Sequence, residues 1–238
     1  MTYCVGLLLD AGLVLLSDTR TNAGVDNIST YRKMFTFVDP GERAIVILTA
    51  GSLSVTQTTL ARMDDANSDP DKRSIMNAGT MLEVAEIVGE TLSEVSAQVA
   101  DRMGAKAQSA RASMIVAGQR RGGAARMFLI YPEGNFIEAT EDTPYLQIGE
   151  HKYGKPILDR VVTPETTIED AKKAVLLSMD STLRSNLSVG MPLDMCIIKT
   201  DTQDIGERRR ISAEDETFQA MSVAWSQALR DAFAEIEI

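Results

Sequence analysis

Residues 2–20, TYCVGLLLDAGLVLLSDTR, decide how the rest of the chain is read. The runs 2–9 and 13–17 are apolar, and Asp10-Ala11-Gly12 between them offers a glycine where the backbone has to reverse. That pattern predicts a β-hairpin with a three-residue loop. A reversal centred near Ala11 sets Cys4 opposite Asp18 and Thr2 opposite Arg20. Asp18 then becomes a diagonal neighbour of Thr2 on the same face.

A second hairpin follows in YRKMFTFVDPGERAIVILTAG at 31–51. Residues 31–38 alternate, Asp39-Pro40-Gly41-Glu42 supplies a turn, and 44–50 is a buried-strand run that Gly51 ends. Lys33 at the start of one strand and Thr49-Ala50-Gly51 at the end of the next fall at one end of this hairpin.

From Ser52 onward the apolar period changes to that of a helix, to about Met63. A polar loop leads to a longer helix expected over Ile75 to Met103, with Leu82, Val84, Ala85, Val88, Leu92, Val95 and Val99 along one face. Strand-like runs return at 112–118, 126–131, 135–138 and 145–148. Thr166-Thr167-Ile168-Glu169 fits a capping box for a helix to about Thr182. Strands at 193–199 and 207–212 and an amphipathic helix from Phe218 to Phe233, carrying Trp225, close the chain. Strand groups that alternate with one-faced helices bury both faces as two antiparallel sheets with helices outside. The expectation is an α+β chain, a four-layer αββα sandwich, forming a single domain over 1–238. Arg208-Arg209-Arg210 reads as a solvated edge strand.

Composition narrows the function. Lys and Arg number 24 against 34 Asp and Glu, a formal charge of −10. Such a surface repels phosphate backbones and anionic lipid, which speaks against nucleic-acid and membrane partners. The start of the chain has no basic leader, so the expected location is cytoplasmic. Cys4 and Cys196 are too few for a disulfide framework. His151 is the single histidine, which excludes the usual two-histidine zinc sites, and it lies in a polar loop-like stretch. Neither a phosphate-binding P-loop nor a dinucleotide fingerprint is present, so no metal and no cofactor is expected.

If the two hairpins lie side by side, Thr2, Asp18, Lys33 and Gly51 gather at one edge. Their chemistry fits a nucleophile that needs no histidine. Removal of Met1 would give Thr2 a free α-amine, whose ordinary pKa of about 7.7–8.0 leaves part of it unprotonated near neutral pH. That amine can take the proton of its own hydroxyl. Asp18 would pair with Lys33, and the Lys33 charge would favour the ionised hydroxyl and the free amine. The N–H of Gly51 is a candidate oxyanion donor, because glycine lets backbone approach substrate closely.

These residues resemble those of proteasome β-type subunits. Thr2, Ser17-Asp18-Thr19-Arg20, Lys33-Met34-Phe35 and Thr49-Ala50-Gly51 match that family's nucleophile, acid, lysine and glycine motifs in order and spacing. MTYCVGLLLD, TNAGVDNISTYRKM and the run Asp180 to Gly190 are similar to the bacterial Anbu proteins. The resemblance implies an N-terminal nucleophile (Ntn) hydrolase fold, self-assembly into a large ring-like or helical homo-oligomer, and threonine-dependent hydrolysis of peptide or unfolded-protein substrates, with a separate unfoldase as a candidate partner. It also implies supporting roles for Arg20 and for Ser185, Asn186 and Ser188. The family's Ser-Gly motif after the central strands is replaced here by Gly149-Glu150-His151. Two other readings stay open at this point: an amidase of the same fold acting on small amides, and an assembly scaffold with a weak site.

Overall fold

A computed structural model describes residues 2–22, 28–104, 106 and 110–237. The first hairpin is β1 (Tyr3–Leu9) with β2 (Gly12–Ser17), and the second is β5 (Met34–Asp39) with β6 (Arg43–Gly51). A small hairpin absent from the sequence reading lies between them, β3 (Arg20–Asn22) with β4 (Ile28–Thr30). Next come α1 (Leu53–Asn67), α2 (Met81–Met103), β7 (Ala112–Arg120), β8 (Arg126–Ile130), β9 (Phe136–Glu138) and β10 (Tyr145–Gly149). The chain finishes with α3 (Lys155–Val161), α4 (Ile168–Ser185), β11 (Leu193–Lys199), β12 (Glu207–Ile211) and α5 (Glu216–Glu235).

Two five-stranded antiparallel sheets result, in the orders β10-β1-β2-β11-β12 and β5-β6-β7-β8-β9. Strand alternation divides the apolar side chains among three cores. Tyr3, Val5 and Leu7 of β1 and Val14 and Leu16 of β2 face α3, α4 and α5. Ile45 and Ile47 of β6 and Met114 and Val116 of β7 face α1 and α2. Cys4, Leu13, Leu15, Val46, Leu48, Ile115, Ala117 and Cys196 meet between the sheets. Side chains of period two on every central strand therefore require a covering layer on each side, which gives the αββα sandwich. Among the described residues, no helix is long and apolar enough to cross a membrane.

Three details depart from expectation. Leu9 pairs with Gly12, so the first loop holds two residues and Cys4 faces Ser17, one residue off the expected register. The reason lies in Gly12: at φ +139° its missing Cβ would sit 2.1 Å from the carbonyl oxygen of Ile198, so the glycine lets β2 run close to β11 from its first residue. The long helix starts at Met81, because Thr80 is the cap and its hydroxyl accepts the Glu83 N–H. Leu82 points outward there and is exposed. A short helix, α3, to which the sequence reading assigned no element, follows the loop-like stretch around His151, with a proline in its first turn. The triple arginine does lie on an edge strand, and Arg210 and Arg209 pair with Asp194 and Asp215.

Candidate active site

The start of β1, the strand β3, the residue before β5, the end of β6 and the start of α1 surround a cleft of about 280 Å³. Thr2, Lys33, Thr49, Ala50 and Gly51 line it, together with Thr21, Leu53 and Thr56. Thr2 stands one residue before β1 and is 7% exposed. Its carbonyl accepts the Glu150 N–H at 2.7 Å, so the turn after β10 holds its backbone. Gly149 makes that possible: at φ +83°, a Cβ there would lie 1.9 Å from the Thr2 carbonyl oxygen. Gly149-Glu150-His151 thus acts on Thr2 through its main chain. His151 itself is exposed, with Nδ1 3.2 Å from the Gly149 carbonyl.

Asp18 follows directly on β2 and is fully buried. The one-residue register shift places it opposite Tyr3, where it donates its own N–H to the Tyr3 carbonyl. The carboxylate collects four donors. Oδ1 accepts the Tyr3 N–H at 3.1 Å and Lys33 Nζ at 2.7 Å, and Oδ2 accepts the N–H groups of Arg20 and Gly190, each at 3.2 Å. Burial pushes the Asp18 carboxyl above its ordinary range, while the Lys33 charge and the N–H groups of Tyr3 and Gly190 pull the other way. Four donors on two oxygens are satisfied only by the ionised form, which accepts and cannot donate.

Lys33 is 5% exposed and precedes β5, with its carbonyl tied to the Thr49 N–H at 2.9 Å. Besides Asp18, its ammonium donates to the Arg20 carbonyl at 2.6 Å. An ammonium carries three N–H donors, and these two contacts use two of them. The Arg20 side chain runs away from the cleft and donates to the Leu187 carbonyl at 2.8 Å. Gly51 borders the cleft at φ +106°, and a Cβ on it would lie 2.4 Å from the Arg111 carbonyl oxygen. Its glycine character therefore answers first to β7, its neighbour in the sheet, before any substrate.

Thr2, Lys33 and Gly51 line one cleft, and Asp18, outside that lining, is bonded to Lys33. The segment after α4 reaches the site differently from the sequence reading. Ser185 ends the helix and is exposed, and Asn186 turns its Oδ1 to the Ser188 N–H. The contact with the site comes from the Gly190 N–H on Asp18. No signal in the sequence singles out Gly190 for that role, nor Leu53 and Thr56 on α1 as cleft residues. Among the described residues no group of His, Cys, Asp and Glu gathers to hold a metal.

The sandwich and the placement of this cleft define the Ntn-hydrolase fold. The model of the proteasome subunit family matches residues 2–198, and the chain belongs to that family. It is similar along its length to Anbu, the ancestral β-subunit, from Yersinia bercovieri, at 44% identity, covering 99% of this chain and 98% of that one, with a TM-score of 0.93. Anbu from Hyphomicrobium sp. strain MC1 is 48% identical over 99% and 98% of the two chains, with a TM-score of 0.90. The helical assembly of the Anbu complex from Pseudomonas aeruginosa contributes a chain 43% identical over 99% and 97%, with a TM-score of 0.94. No curated protein matches the chain.

Proposed function

We propose that this protein is an N-terminal threonine hydrolase, a peptidase that cleaves amide bonds within a self-assembled homo-oligomer in the cytoplasm. The observation that carries the reading is the buried Lys33–Asp18 pair at 2.7 Å on the cleft that Thr2 and Gly51 also line. The state of Met1 lies outside the described residues, and the mechanism requires its removal. The freed α-amine of Thr2 then accepts the proton of the Thr2 hydroxyl as the oxygen bonds to the substrate carbonyl carbon. The Lys33 charge favours the developing alkoxide, and Asp18 fixes that charge in place. The Gly51 N–H is assigned to the carbonyl oxygen as it becomes an oxyanion. The protonated amine returns its proton to the leaving nitrogen, the C–N bond breaks, and an ester to Thr2 remains. Water, deprotonated by the same amine, hydrolyses that ester and regenerates the hydroxyl.

Self-association is supported by the helical assembly of the Pseudomonas aeruginosa relative. Peptides or unfolded proteins are the proposed substrates, delivered by a separate unfoldase if folded proteins are to be degraded. The test combines mass spectrometry of the N-terminus with labelling by a β-lactone or epoxyketone probe. Labelling at Thr2 and loss of hydrolysis in Thr2→Ala are expected. Full hydrolysis by Thr2→Ala would exclude the mechanism.

A further inference from the structure

A second hollow, of about 440 Å³, opens at the same end of the sandwich between the two sheets. It shares Ala50 and Gly51 with the Thr2 cleft. Its walls come from β8 and the residues after it, Leu129 and Tyr131, and from Ile148 of β10. Gly149, which also lines it, is the residue whose backbone abuts the Thr2 carbonyl. The assigned oxyanion donor, Gly51, therefore stands on the ridge between two hollows, with Thr2 on the first hollow's side of it. The catalytic groups assigned above leave the second one unused, and Ile148 and Leu129 in its wall also pack in the core between the sheets.

The two hollows differ in chemistry. The first carries the charged Lys33 and four threonines, with Thr2, Lys33, Thr49 and Ala50 nearly buried in its wall. The second has the exposed Arg111 and His151 and the side chain of Gln147 in its lining, but most of its wall is apolar and it is broadly open to solvent. A substrate whose carbonyl carbon is seated at Thr2 must extend in both directions from the ridge. The acyl half stays bonded to Thr2 between the two steps of the reaction and belongs in the enclosed hollow. The amine half has to leave first and belongs in the open one.

We propose that the Leu129–Tyr131–Ile148 groove is the subsite for the residue that follows the scissile bond, and that it selects a large apolar or aromatic side chain there. The inference rests on the threonine-hydrolase reading above and names its substrate class: peptides with a hydrophobic residue on the leaving side. Apolar lining discriminates by burial, and each CH2 taken fully out of water contributes a factor of about four, so the equivalent of about two such groups buried in this open groove gives about tenfold.

The experiment uses the processed protein and peptides with one common acyl half, followed by Phe, Leu, Gly or Asp. The kcat/KM values for Phe and Leu should exceed that for Gly by about tenfold. Tyr131→Ala opens the groove, Ser113→Phe on the β7 residue that also lines it fills it, and both should bring the ratio to within about twofold. Equal rates in the wild type, or an unchanged ratio in both variants, would overturn the subsite. Release of ammonia from the same acyl half as its simple amide separates the two readings. Ammonia release without discrimination among leaving residues removes the groove and spares the mechanism, whereas no release at all counts against the mechanism. Calorimetry on Thr2→Ala protein decides the groove without turnover. The Phe peptide should bind about tenfold more tightly than the Gly peptide, and Ser113→Phe should erase the difference. Equal affinities in the Thr2→Ala protein would also overturn it.

Discussion

The Lys33 ammonium donates to Asp18 at 2.7 Å with both side chains almost completely out of water, 7% and 0% exposed. A pair in that setting gains its Coulomb attraction against a desolvation penalty of similar size, so its net worth is modest, but neither member tolerates loss of the other. Lys33→Ala should therefore cost about 3–5 kcal/mol, since it leaves Asp18 charged, buried and short of a donor. The double variant Asp18→Asn with Lys33→Met should recover part of that stability in urea unfolding, because the buried charge is gone while the Asn NH2 still meets a backbone N–H donor, and hydrolysis stays lost. Recovery of hydrolysis in the double variant would mean that the cation has no part in the chemistry.

Gly149 and Gly41 offer a controlled comparison of backbone strain with crowding. Both have positive φ, +83° and +78°, but a Cβ on Gly41 meets nothing within 4 Å, whereas one on Gly149 meets the Thr2 carbonyl oxygen at 1.9 Å. Gly41→Ala should cost about 1 kcal/mol, the price of a left-handed alanine. Gly149→Ala should cost at least twice as much and displace the backbone that carries the nucleophile. Activity should fall with Gly149→Ala and stay unchanged with Gly41→Ala. Similar unfolding midpoints and rates for both would contradict the contact between the turn and Thr2.

The large features of this molecule are legible in its sequence because each rests on repetition. Alternation over 31–38 fixes β5, the unbroken apolar run at 44–50 fixes β6, and a 3.6-residue stripe from Val84 to Val95 fixes α2. The site was legible for a different reason: Thr2, Asp18, Lys33 and Gly51 lie at strand ends, where the order of hairpins alone determines which residues can meet. What escapes is whatever depends on one backbone contact between distant elements. The register of the first hairpin turned on Gly12 against Ile198, and the donor that completes Asp18 is the N–H of Gly190, 172 residues away. The register error left the site intact because Asp18 lies past the last β1–β2 pair, where the Tyr3 and Lys33 donors, rather than the pleat, fix the direction of its carboxylate.

Arg20 and Gly190 pack face to face. A Cβ on Gly190 would lie 2.2 Å from Nε of Arg20, and the guanidinium holds the Leu187 carbonyl of the same loop. Gly190 does not have a positive φ, so alanine there is opposed by the arginine and not by the backbone. Gly190→Ala should cost about 1–2 kcal/mol in the wild type. In an Arg20→Ala background it should cost less than about 0.5 kcal/mol, a coupling that a double-mutant cycle reads directly. Additive losses would place the strain elsewhere in the loop.

Cys4, Cys196 and Tyr3 make the protein sensitive to alkali. Burial pushes the Cys4 thiol far up, the Cys196 thiol to about 12, and the Tyr3 phenol to about 12 against the hydrogen bonds from Ser178 and Gln147. In the native state all three stay protonated at pH values where the unfolded chain has begun to ionise, from about pH 8.5 for a thiol and pH 10 for a phenol. The unfolded state then binds fewer protons than the native one, so the stability these groups contribute is fully present below pH 8 and is lost as pH rises. The slope is about 1.4 kcal/mol per pH unit for each group until its native pKa is reached. Urea midpoints should be level between pH 7 and 8 and fall steeply from pH 9 to 11, and Tyr3→Phe should flatten only the part above pH 10. The same burial predicts that a disulfide reagent at pH 8 finds almost no thiolate, on the order of 1 in 10,000 at Cys196. Native protein should leave both cysteines unlabelled and urea should release 2 thiols per chain. Rapid labelling of either cysteine in the native state would show that the space between the sheets admits water.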